Sequence, residues 1–456
     1  MIRLLYLAAG VLFIVGLKGL GSPRTARRGN QLASVGMLLA AVVVVGDLIG
    51  LDAKITWWVI IVGIVVGSAI GVMFATKVEM TGMPELVAAF NGFGGASSAL
   101  VAAAAVHESG GSFETETSIV VALSIAIGAI TFTGSFVAYG KLKGFISGTP
   151  VAMPGGPWFN AALMAGGVAL GTWAVASDAG APYWFLAGLF LIIGVTGVLP
   201  IGGADMPVVM SLLNSLSGVA AATAGFIIGN LALIIGGALV GAAGLILTLQ
   251  MGEAMNRTLA NVLFSGFGGD GGTSGEMSDK PVNRATPDDV AIALAYAEKV
   301  MVVPGYGLAV AQAQHAVRDL ASALAEKGVV TEYAIHPVAG RMPGHMNVLL
   351  AEADVDYDVL LDLDQSNPKF PLTDVVLIIG ANDVVNPSAR DDAASTIYGM
   401  PILECDLART VVVIKRSLSP GFAGIDNPLF YEDKTMMLFA DAKSALEEIT
   451  AALALV

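Results

Sequence analysis

The chain contains little cysteine and little charge, and both shortages restrict what it can be. Cys405 is the one cysteine among 456 residues, so neither a disulfide within the chain nor a cysteine-based metal cluster can form. We expect a buried strand thiol and no metal site. Charged residues make up 13% of the chain and hydrophobic residues 55%, whereas about 25% charge is usual for globular domains. The composition is that of a membrane protein.

The few charges are divided unevenly between the two halves of the chain. Up to residue 250, nine basic residues balance nine acidic ones, and the remaining 14 basic and 28 acidic residues account for the net charge of −14. An acidic second half argues against nucleic acid as a partner, because a phosphate backbone binds to a basic surface. Local basic residues can still bind a phosphorylated small molecule.

Long apolar runs fill the first half. A helix that spans a bilayer needs ~20 mostly apolar residues, and nine segments meet this requirement. They are Leu4–Leu20, Gln31–Leu51, Thr56–Thr76, Met83–Val106, Ser118–Ala138, Trp158–Ala176, Pro182–Ile201, Met206–Ile228 and Leu231–Met251. Glycines at helical spacing, Gly63-Gly67-Gly71 and Gly237-Gly241, indicate close packing of helices.

Basic residues in the short loops predict the orientation of these spans. Most of them follow the first, third and fifth spans: Lys18, Arg24, Arg27, Arg28, Lys77, Lys141 and Lys143. Those loops therefore belong in the cytoplasm, and nine spans then place the C-terminal domain there as well. Cleavage of the first span as a signal peptide is disfavoured, because the basic cluster would have to be translocated. We expect a multi-pass protein of the cell's inner (plasma) membrane.

The predicted span centres contain amides and hydroxyls but no Lys, Arg or His. Such groups need hydrogen-bond partners in lipid, and pairing between helices explains most of the serines, including Ser135 and Ser217. Asn91 and Asn214 fit a functional role equally well. Asp205, at the start of the eighth span, is either a helix cap or the inner mouth of a path.

A glycine-rich stretch separates the halves. Residues 265–275 contain six glycines, which is typical of a flexible hinge. We predict a transmembrane helical bundle at 1–251, a hinge and linker at 252–286, and a soluble domain at 287–456. In that domain short apolar strands alternate with helices, which predicts an α/β doubly wound parallel sheet of Rossmann-like type. The predicted strands are Lys299–Val303, Val330–Ile335, Val359–Asp362, Val375–Gly380, Ile402–Cys405 and Val411–Lys415, and the predicted helices are Leu308–Glu326, Gly344–Glu352 and Ala442–Leu453.

The first of these strands runs into the turn Gly305-Tyr306-Gly307-Leu308-Ala309-Val310. Glycines there permit a tight turn and a close approach of the backbone to the pyrophosphate of a dinucleotide. Valine occupies the third position of the motif, where Gly or Ala is usual. A plain strand–turn–helix therefore remains an alternative.

Two basic segments favour a 2′-phosphate, and therefore NADP over NAD. The second strand ends in Ile335–Arg341, which contains no carboxylate to bind a ribose and has an arginine instead. Another strand ends in Lys415-Arg416-Ser417, which fits either a phosphate clamp or a solvated strand end. Asp383, after a third strand, either touches the nicotinamide ribose or caps a turn. Residues 420–428 look like a mobile loop that closes over a ligand.

These motifs, in this order, resemble the beta subunit of the proton-translocating NAD(P) transhydrogenase along essentially the whole chain. The most specific are Gly202–Pro207, Gly305–Gln314, Gly340–Asn347, Gly380–Pro387 and Lys415–Ser417. The resemblance implies that the soluble domain binds NADP(H), in an orientation flipped relative to common Rossmann enzymes. It implies that an alpha subunit holds NAD(H), that hydride passes from NADH there to NADP⁺ here, and that protons move inward. We expect a dimer of alpha–beta units in the lipid bilayer.

The resemblance also implies the site residues. Asp383 is the catalytic candidate, although positioning and electrostatics are the main work of such a site. The cofactor-binding candidates are Gly305, Tyr306, Gly307, Leu308, Ala309, Val310, Arg341, Met342, Pro343, Gly344, His345, Gly380, Ala381, Asn382, Asp383, Asn386, Lys415, Arg416, Ser417, Gly421, Phe422, Asp441 and Ala442. Asn91, Ser135, Asp205 and Asn214 match positions tied to the proton path of the family.

The chain departs from the family at two positions, Asn91 and Phe422. Many relatives carry histidine at the position of Asn91, so we expect a partner chain to supply the proton-relay histidine. Phe422 stands where relatives often have tyrosine, which puts a ligand hydrogen bond in doubt.

Two other classes of protein are alternatives. A nucleotide-gated transporter or channel predicts a solute site near the middle of the membrane, where this chain has little but amides and hydroxyls. A membrane-anchored NADPH dehydrogenase predicts a substrate domain, for which residues 287–456 leave no room.

Overall fold

The computed structural model describes residues 2–20, 23–50, 56–78, 82–148, 150–151, 156–264, 281–341, 344–395, 397–419, 421 and 424–456. Apolar helices make up the first half, and a parallel sheet with helices follows, so the predicted fold class is confirmed. By its internal contacts the chain divides into two compact units, a helical one and one that contains the sheet.

Ten helices precede the sheet within the described residues. They are α1 (Ile2–Gly19), α2 (Pro23–Gly50), α3 (Trp57–Lys77), α4 (Met83–Ser109), α5 (Thr115–Lys143), α6 (Gly156–Ala176), α7 (Ala181–Val198), α8 (Met206–Ile227), α9 (Leu231–Ala254) and α10 (Leu259–Phe264). Among the described residues, eight of them are long and apolar enough to cross a bilayer, and α1 adds the shorter apolar segment Leu4–Gly19. The prediction of about nine spans is roughly consistent with this.

One helix begins earlier than the hydropathy indicates. We expected the second span to start at Gln31, but α2 starts at Pro23. Proline is favoured at the first helical position, because it has no N–H to leave unsatisfied and its φ is already helical. Arginine is also a good helix former. The basic residues Arg27 and Arg28 are therefore helical rather than part of a loop.

Small residues set the closest helix contacts. A Cβ added to Gly95 of α4 would lie 2.9 Å from the carbonyl oxygen of Gly128 in α5, and one added to Gly218 of α8 would lie 2.3 Å from the backbone nitrogen of Gly241 in α9. Backbones approach this closely only where side chains are absent. The predicted close packing therefore holds for α9. In α3 a Cβ added to Gly67 would meet no described atom within 4 Å.

The second unit is built on a seven-stranded sheet in which every pair of neighbouring strands is parallel. Its strands are β1 (Asn283–Arg284), β2 (Lys299–Pro304), β3 (Val330–Ala334), β4 (Leu360–Leu361), β5 (Val375–Ile379), β6 (Thr410–Lys415) and β7 (Thr435–Phe439). Its helices are α11 (Pro287–Ala295), α12 (Tyr306–Val310), α13 (Gln314–Glu326), α14 (His345–Glu352), α15 (Leu363–Ser366), α16 (Ser388–Asp391) and α17 (Ala442–Leu453).

The strand order is β1-β7-β6-β5-β2-β3-β4. From β2 the chain goes first to β3 and β4 on one side, and then to β5, β6 and β7 on the other. The order therefore reverses between β2 and β5, and ligands of doubly wound sheets bind at this switch point, beyond the carboxyl ends of the strands. All five residues of β5 are buried, as expected for a central strand of a sheet covered on both faces.

Two predicted elements are wrong in detail. The helix predicted at Leu308–Glu326 is divided into α12 and α13, because Gln312 takes the left-handed conformation with φ of 49°. The strand predicted at Ile402–Cys405 is irregular backbone followed by a short 3₁₀ turn. There the side chain of Asn367 donates to the Ile402 carbonyl and accepts from the Glu404 N–H, so a side chain replaces a strand partner. Cys405 is fully buried but not in a strand.

Candidate functional site

The glycine turn after β2 packs directly on the segment that follows β5. Gly305 N–H donates to the Ile379 carbonyl and Gly307 N–H to the Gly380 carbonyl, both at 2.9 Å. A Cβ added to Gly307 would lie 2.6 Å from Gly380 Cα, and Gly380 itself has a φ of 64°. The close approach that these glycines permit is therefore to neighbouring backbone. It brings the ends of β2 and β5 together at the switch point.

A cavity of about 190 Å³ opens beside this contact. Its walls come from the glycine turn, from the ends of β5 and β6, and from the segment between β7 and α17. The lining residues are Gly307, Val310, Ala311, Gly380, Ile414, Lys415, Arg416, Ser417, Ser419, Ala440, Asp441 and Ala442. Eight of the predicted cofactor-binding residues thus come together here. Ala311, Ile414, Ser419 and Ala440 had not been predicted, because they carry no polar pattern of their own or lie just past the recognised motif.

The basic strand end supplies the polar side of the cavity. Lys415 Nζ donates to the Ser419 carbonyl at 3.0 Å and lies 4.7 Å from the centre of the Phe430 ring. Burial lowers the pKa of Lys415 to about 8, although Asp383 and Asp426 act in the opposite direction. Ser417 Oγ and Ser419 Oγ are 2.8 Å apart. Arg416 is exposed, so its guanidinium is accessible to an anion in the cavity.

A second cluster follows β3. The Arg341 guanidinium lies 4.5 Å from the centre of the Tyr306 ring, and the backbone N–H of Arg341 donates to His345 Nδ1 at 3.1 Å. Burial, and then the charge of Arg341, lower the pKa of His345. A neutral imidazole that accepts at Nδ1 carries its proton on Nε2. The cluster therefore joins three predicted residues into one packed group beside the glycine turn.

Buried amides hold the loop after β5. Asn386 Nδ2 donates to the Asp426 carbonyl at 3.0 Å, and Asn427 Nδ2 donates to the Asn382 carbonyl at 3.1 Å. Both amides are fully buried. The Tyr431 hydroxyl donates to Asp426 Oδ1 at 3.0 Å, and burial together with this contact raises the pKa of Tyr431 to about 12.

The loop after β6 also approaches Asp383, because a Cβ added to Gly421 would lie 2.5 Å from Asp383 Oδ1. Asn427 had been read only as part of a mobile loop, yet it anchors that segment. No sequence motif marks this role. The predicted residues Leu308, Ala309 and Ala381 are buried beneath the turn, and Gly344 precedes α14 with a φ of 67°. Met342, Pro343 and Phe422 lie outside the described residues.

In the helical unit, the predicted proton-path residues fall into two places. Asn91 Nδ2 donates to Ser135 Oγ at 3.0 Å, and Ser217 Oγ donates to the Asn91 side-chain oxygen. One polar cluster therefore joins α4, α5 and α8, and it includes Ser217, which the predicted site had left out. Asn214 lies on α8, one turn before Ser217. Asp205 is the N-cap residue of α8, but its carboxylate accepts no capping hydrogen bond from that helix.

Comparison with known proteins agrees with this architecture. The family model described as the NAD(P) transhydrogenase beta subunit matches residues 2–452. The chain is 47% identical over 458 aligned positions to an NAD(P) transhydrogenase subunit beta of Rhodospirillum rubrum, with 98% of each chain covered, and equally similar to the protein from a named strain of that species. The apolar helices make it a multi-pass membrane protein. The chain belongs to the family of NAD(P) transhydrogenase beta subunits, membrane components of a proton-translocating enzyme.

Proposed function

We propose that the sheet unit binds NADP(H) at the switch-point cavity and exchanges hydride with NAD(H) held by a partner alpha subunit. In this proposal hydride passes from NADH on the partner to NADP⁺ here, while protons move inward across the membrane. The sheet unit faces the cytoplasm, and two alpha–beta units assemble as a dimer. The observation that carries the nucleotide assignment is the cavity, where a glycine turn and a basic strand end meet.

The residues around the cavity fit a phosphorylated dinucleotide. Glycine at positions 307 and 380 leaves the backbone open to close approach. Lys415, Arg416 and Ser417 offer two cations and a hydroxyl on one wall, which suits a phosphate monoester. When bound, the nicotinamide supplies the hydride chemistry. The task of the chain is to orient the ring and to keep the loops closed around it.

Asp383 has a positioning role in this proposal. Its carboxylate contacts the Gly421 backbone and lies close enough to Lys415 to influence its pKa. It therefore links the end of β5, the basic end of β6 and the loop that follows. The side chains of Asn386 and Asn427 hold the same loop from below. A closed loop keeps water away from a hydride in transfer.

The membrane half supplies the proton path in this proposal. Asn91, Ser135 and Ser217 form a hydrogen-bonded cluster, but amides and hydroxyls do not titrate near neutral pH. We therefore propose that a partner chain places an ionisable side chain, such as histidine, against this cluster. Asp205 is the N-cap residue of α8 and Asn214 lies on that helix with Ser217, so in this proposal both continue the path along α8. An assembled complex with no histidine or carboxylate near Asn91 would contradict this.

Nucleotide binding to the full-length chain in detergent tests the assignment. We expect NADPH to bind more tightly than NADH, and Arg416→Ala to weaken NADPH binding roughly 10- to 100-fold, because a charge-assisted hydrogen bond is lost. NADH binding should hardly change. Titration calorimetry measures both affinities.

Arg409→Ala is the matched control, because Arg409 lies just before the other end of the same strand, is exposed, and pairs with Asp374. It should bind NADPH like the unaltered chain. Equal affinity for the two nucleotides, or an equal loss in both variants, would refute the assignment.

A further inference from the structure

Lys141 is a buried cation at the C-terminal end of α5. Lys141 is only 6% exposed, whereas Lys143, two residues further on, is exposed. Lys141 Nζ donates to the Leu199 carbonyl at 2.6 Å and to the Ile201 carbonyl at 2.7 Å. Both carbonyls lie just past the end of α7. The ammonium is thus hydrogen-bonded to the turn that follows that helix.

The chemistry of this contact is specific. Leu199 is the C-cap residue of α7, and the carbonyls at a helix end have no partners within the helix and carry a partial negative charge, so a cation interacts with the Leu199 carbonyl more strongly than a neutral donor does. A buried ammonium is costly unless it is well paired. An apolar side chain of similar length fills the same space without that cost. Packing alone would not require a lysine here, so we attribute the lysine to its hydrogen bonds with the two carbonyls, which fix the position of the turn.

The same turn is held at a second point by the segment after α5. Gly203 N–H donates to the Gly148 carbonyl at 2.8 Å, and Val151 N–H donates to the Leu199 carbonyl at 3.4 Å. Residues 199–205 are therefore fastened to α5 and to its C-terminal extension. The turn ends at Asp205, which is 5% exposed and begins α8.

Helix α5 connects this turn with the polar cluster. Ser135, which accepts from Asn91, and Lys141 are six residues apart on α5, which corresponds to ~9 Å along the helix axis. One helix therefore carries a member of the polar cluster and the group that holds the turn before Asp205. A shift of α5 at either place is transmitted along a rigid element to the other.

We propose that Lys141 is a positioning residue of the proton path, acting through the turn 199–205 to fix the place of Asp205. This rests on the proposed role of Asp205 in proton movement. The ammonium itself transfers no proton in this proposal. Its function is to hold the backbone that presents the carboxylate.

Three variants of the full chain test this, each reconstituted with its alpha partner in sealed vesicles. They are Lys141→Met, Lys141→Arg and, as the matched control, Lys143→Met, which removes the same charge from the same helix end at an exposed site. Two rates are measured: hydride transfer between the nucleotides, and acidification of the vesicle lumen. Their ratio gives the number of protons moved per hydride. Asp205→Asn and the double variant Lys141→Met/Asp205→Asn complete the set.

We expect Lys141→Met to lower the ratio of protons to hydrides at least fivefold, and Lys141→Arg to restore most of it, because arginine keeps the charge and the donors. Lys143→Met should behave like the unaltered chain. The double variant should match Asp205→Asn, since residues that act through one another are not additive.

A normal ratio in Lys141→Met, or effects that add in the double variant, would overturn the proposal. A normal ratio in Asp205→Asn would instead overturn the path through Asp205 and, with it, the positioning role. If Lys141→Met fails to assemble, Lys141→Gln, which keeps a hydrogen-bond donor but removes the charge, takes its place, and labelling of Asp205 by a hydrophobic carbodiimide is measured in it. A changed labelling rate at Asp205 supports the positioning role, and an unchanged rate opposes it.

Discussion

At the scale of single residues, some buried polar side chains make hydrogen bonds that no sequence motif indicates. His336 is 1% exposed, its Nε2 lies 2.7 Å from the Pro401 carbonyl, and its Nδ1 accepts from the Val338 N–H at 3.2 Å. The neutral ring satisfies both contacts with its proton on Nε2. Protonation would add a proton at Nδ1, where an N–H already donates. Burial lowers the pKa of His336 to about 4.

This predicts a loss of stability in mild acid. The pKa of an unfolded histidine is about 6.5, so between pH 6.5 and 4 the unfolded chain binds a proton that the folded chain does not. The contribution of His336 to the free energy of unfolding is complete above pH 6.5 and falls as the pH drops towards 4, by roughly 3 kcal/mol at most. Unfolding of the full chain at pH 5 and pH 7 should show it, and His336→Gln should remove this part of the pH dependence. His315→Gln, at an exposed site on α13, is the control and should leave it in place.

Sequence motifs identify single residues of the site but not the contacts that these residues make. The sequence identified Arg341 and Lys415 from their places at strand ends. It did not indicate that Arg341 lies over Tyr306 or that Lys415 lies over Phe430. Each of these contacts joins side chains from separate elements, and their distance in space depends on the sheet order.

At the scale of elements, apolar periodicity predicted the long helices and most strands well. Helix α17 spans Ala442–Leu453, as expected, because a local amphipathic pattern is sufficient to define it. The strands β1 and β7 were missed. β1 has only two residues, and short edge strands form because a neighbour is available to pair with them. The break at Gln312 was also missed, since nothing in its local sequence requires a left-handed residue.

Helix contacts in the membrane unit predict a contrast between two glycines. A Cβ added to Gly237 of α9 would lie 2.4 Å from the backbone nitrogen of Ala222 in α8, whereas one added to Gly67 of α3 meets nothing described within 4 Å. Gly237→Ala should therefore force α8 and α9 apart and lower the thermal stability of the isolated chain. Gly67→Ala should leave it unchanged or slightly raised, because alanine favours a helix by about 1 kcal/mol. A loss of stability in Gly67→Ala but not in Gly237→Ala would contradict the helix contacts described above.

At the scale of the whole molecule, membership of the transhydrogenase family explains why one chain combines apolar helices with a dinucleotide-type sheet. A proton gradient can drive a change at the nucleotide only if the affinity of the protein for that nucleotide differs between two states of the protein. The proposed function therefore requires that protonation in the helical unit changes the affinity of the sheet unit for NADP(H).

This requirement predicts that NADPH release depends on the gradient. In vesicles that contain the chain and its alpha partner, an imposed proton gradient should change the rate of NADPH release, and an uncoupler should abolish the difference. Rapid-mixing fluorescence of NADPH measures the rate. The same rate with and without the uncoupler would exclude this coupling.

The sequence by itself determined the spans, the alternation of strands and helices, the glycine turn and the basic strand end. Each depends on composition or on periodicity within about 20 residues, and local propensity carries that information. The family resemblance added the predictions of a cofactor and of a partner subunit, because several separated motifs agree in order.

Only the tertiary structure decided which distant segments meet. It placed Gly307 against Gly380, Asn427 against Asn382, and Lys141 against the end of α7. These contacts join residues between 45 and 73 positions apart. Their formation depends on strand order and on the close packing of helix backbones, and a linear pattern of residue types contains neither.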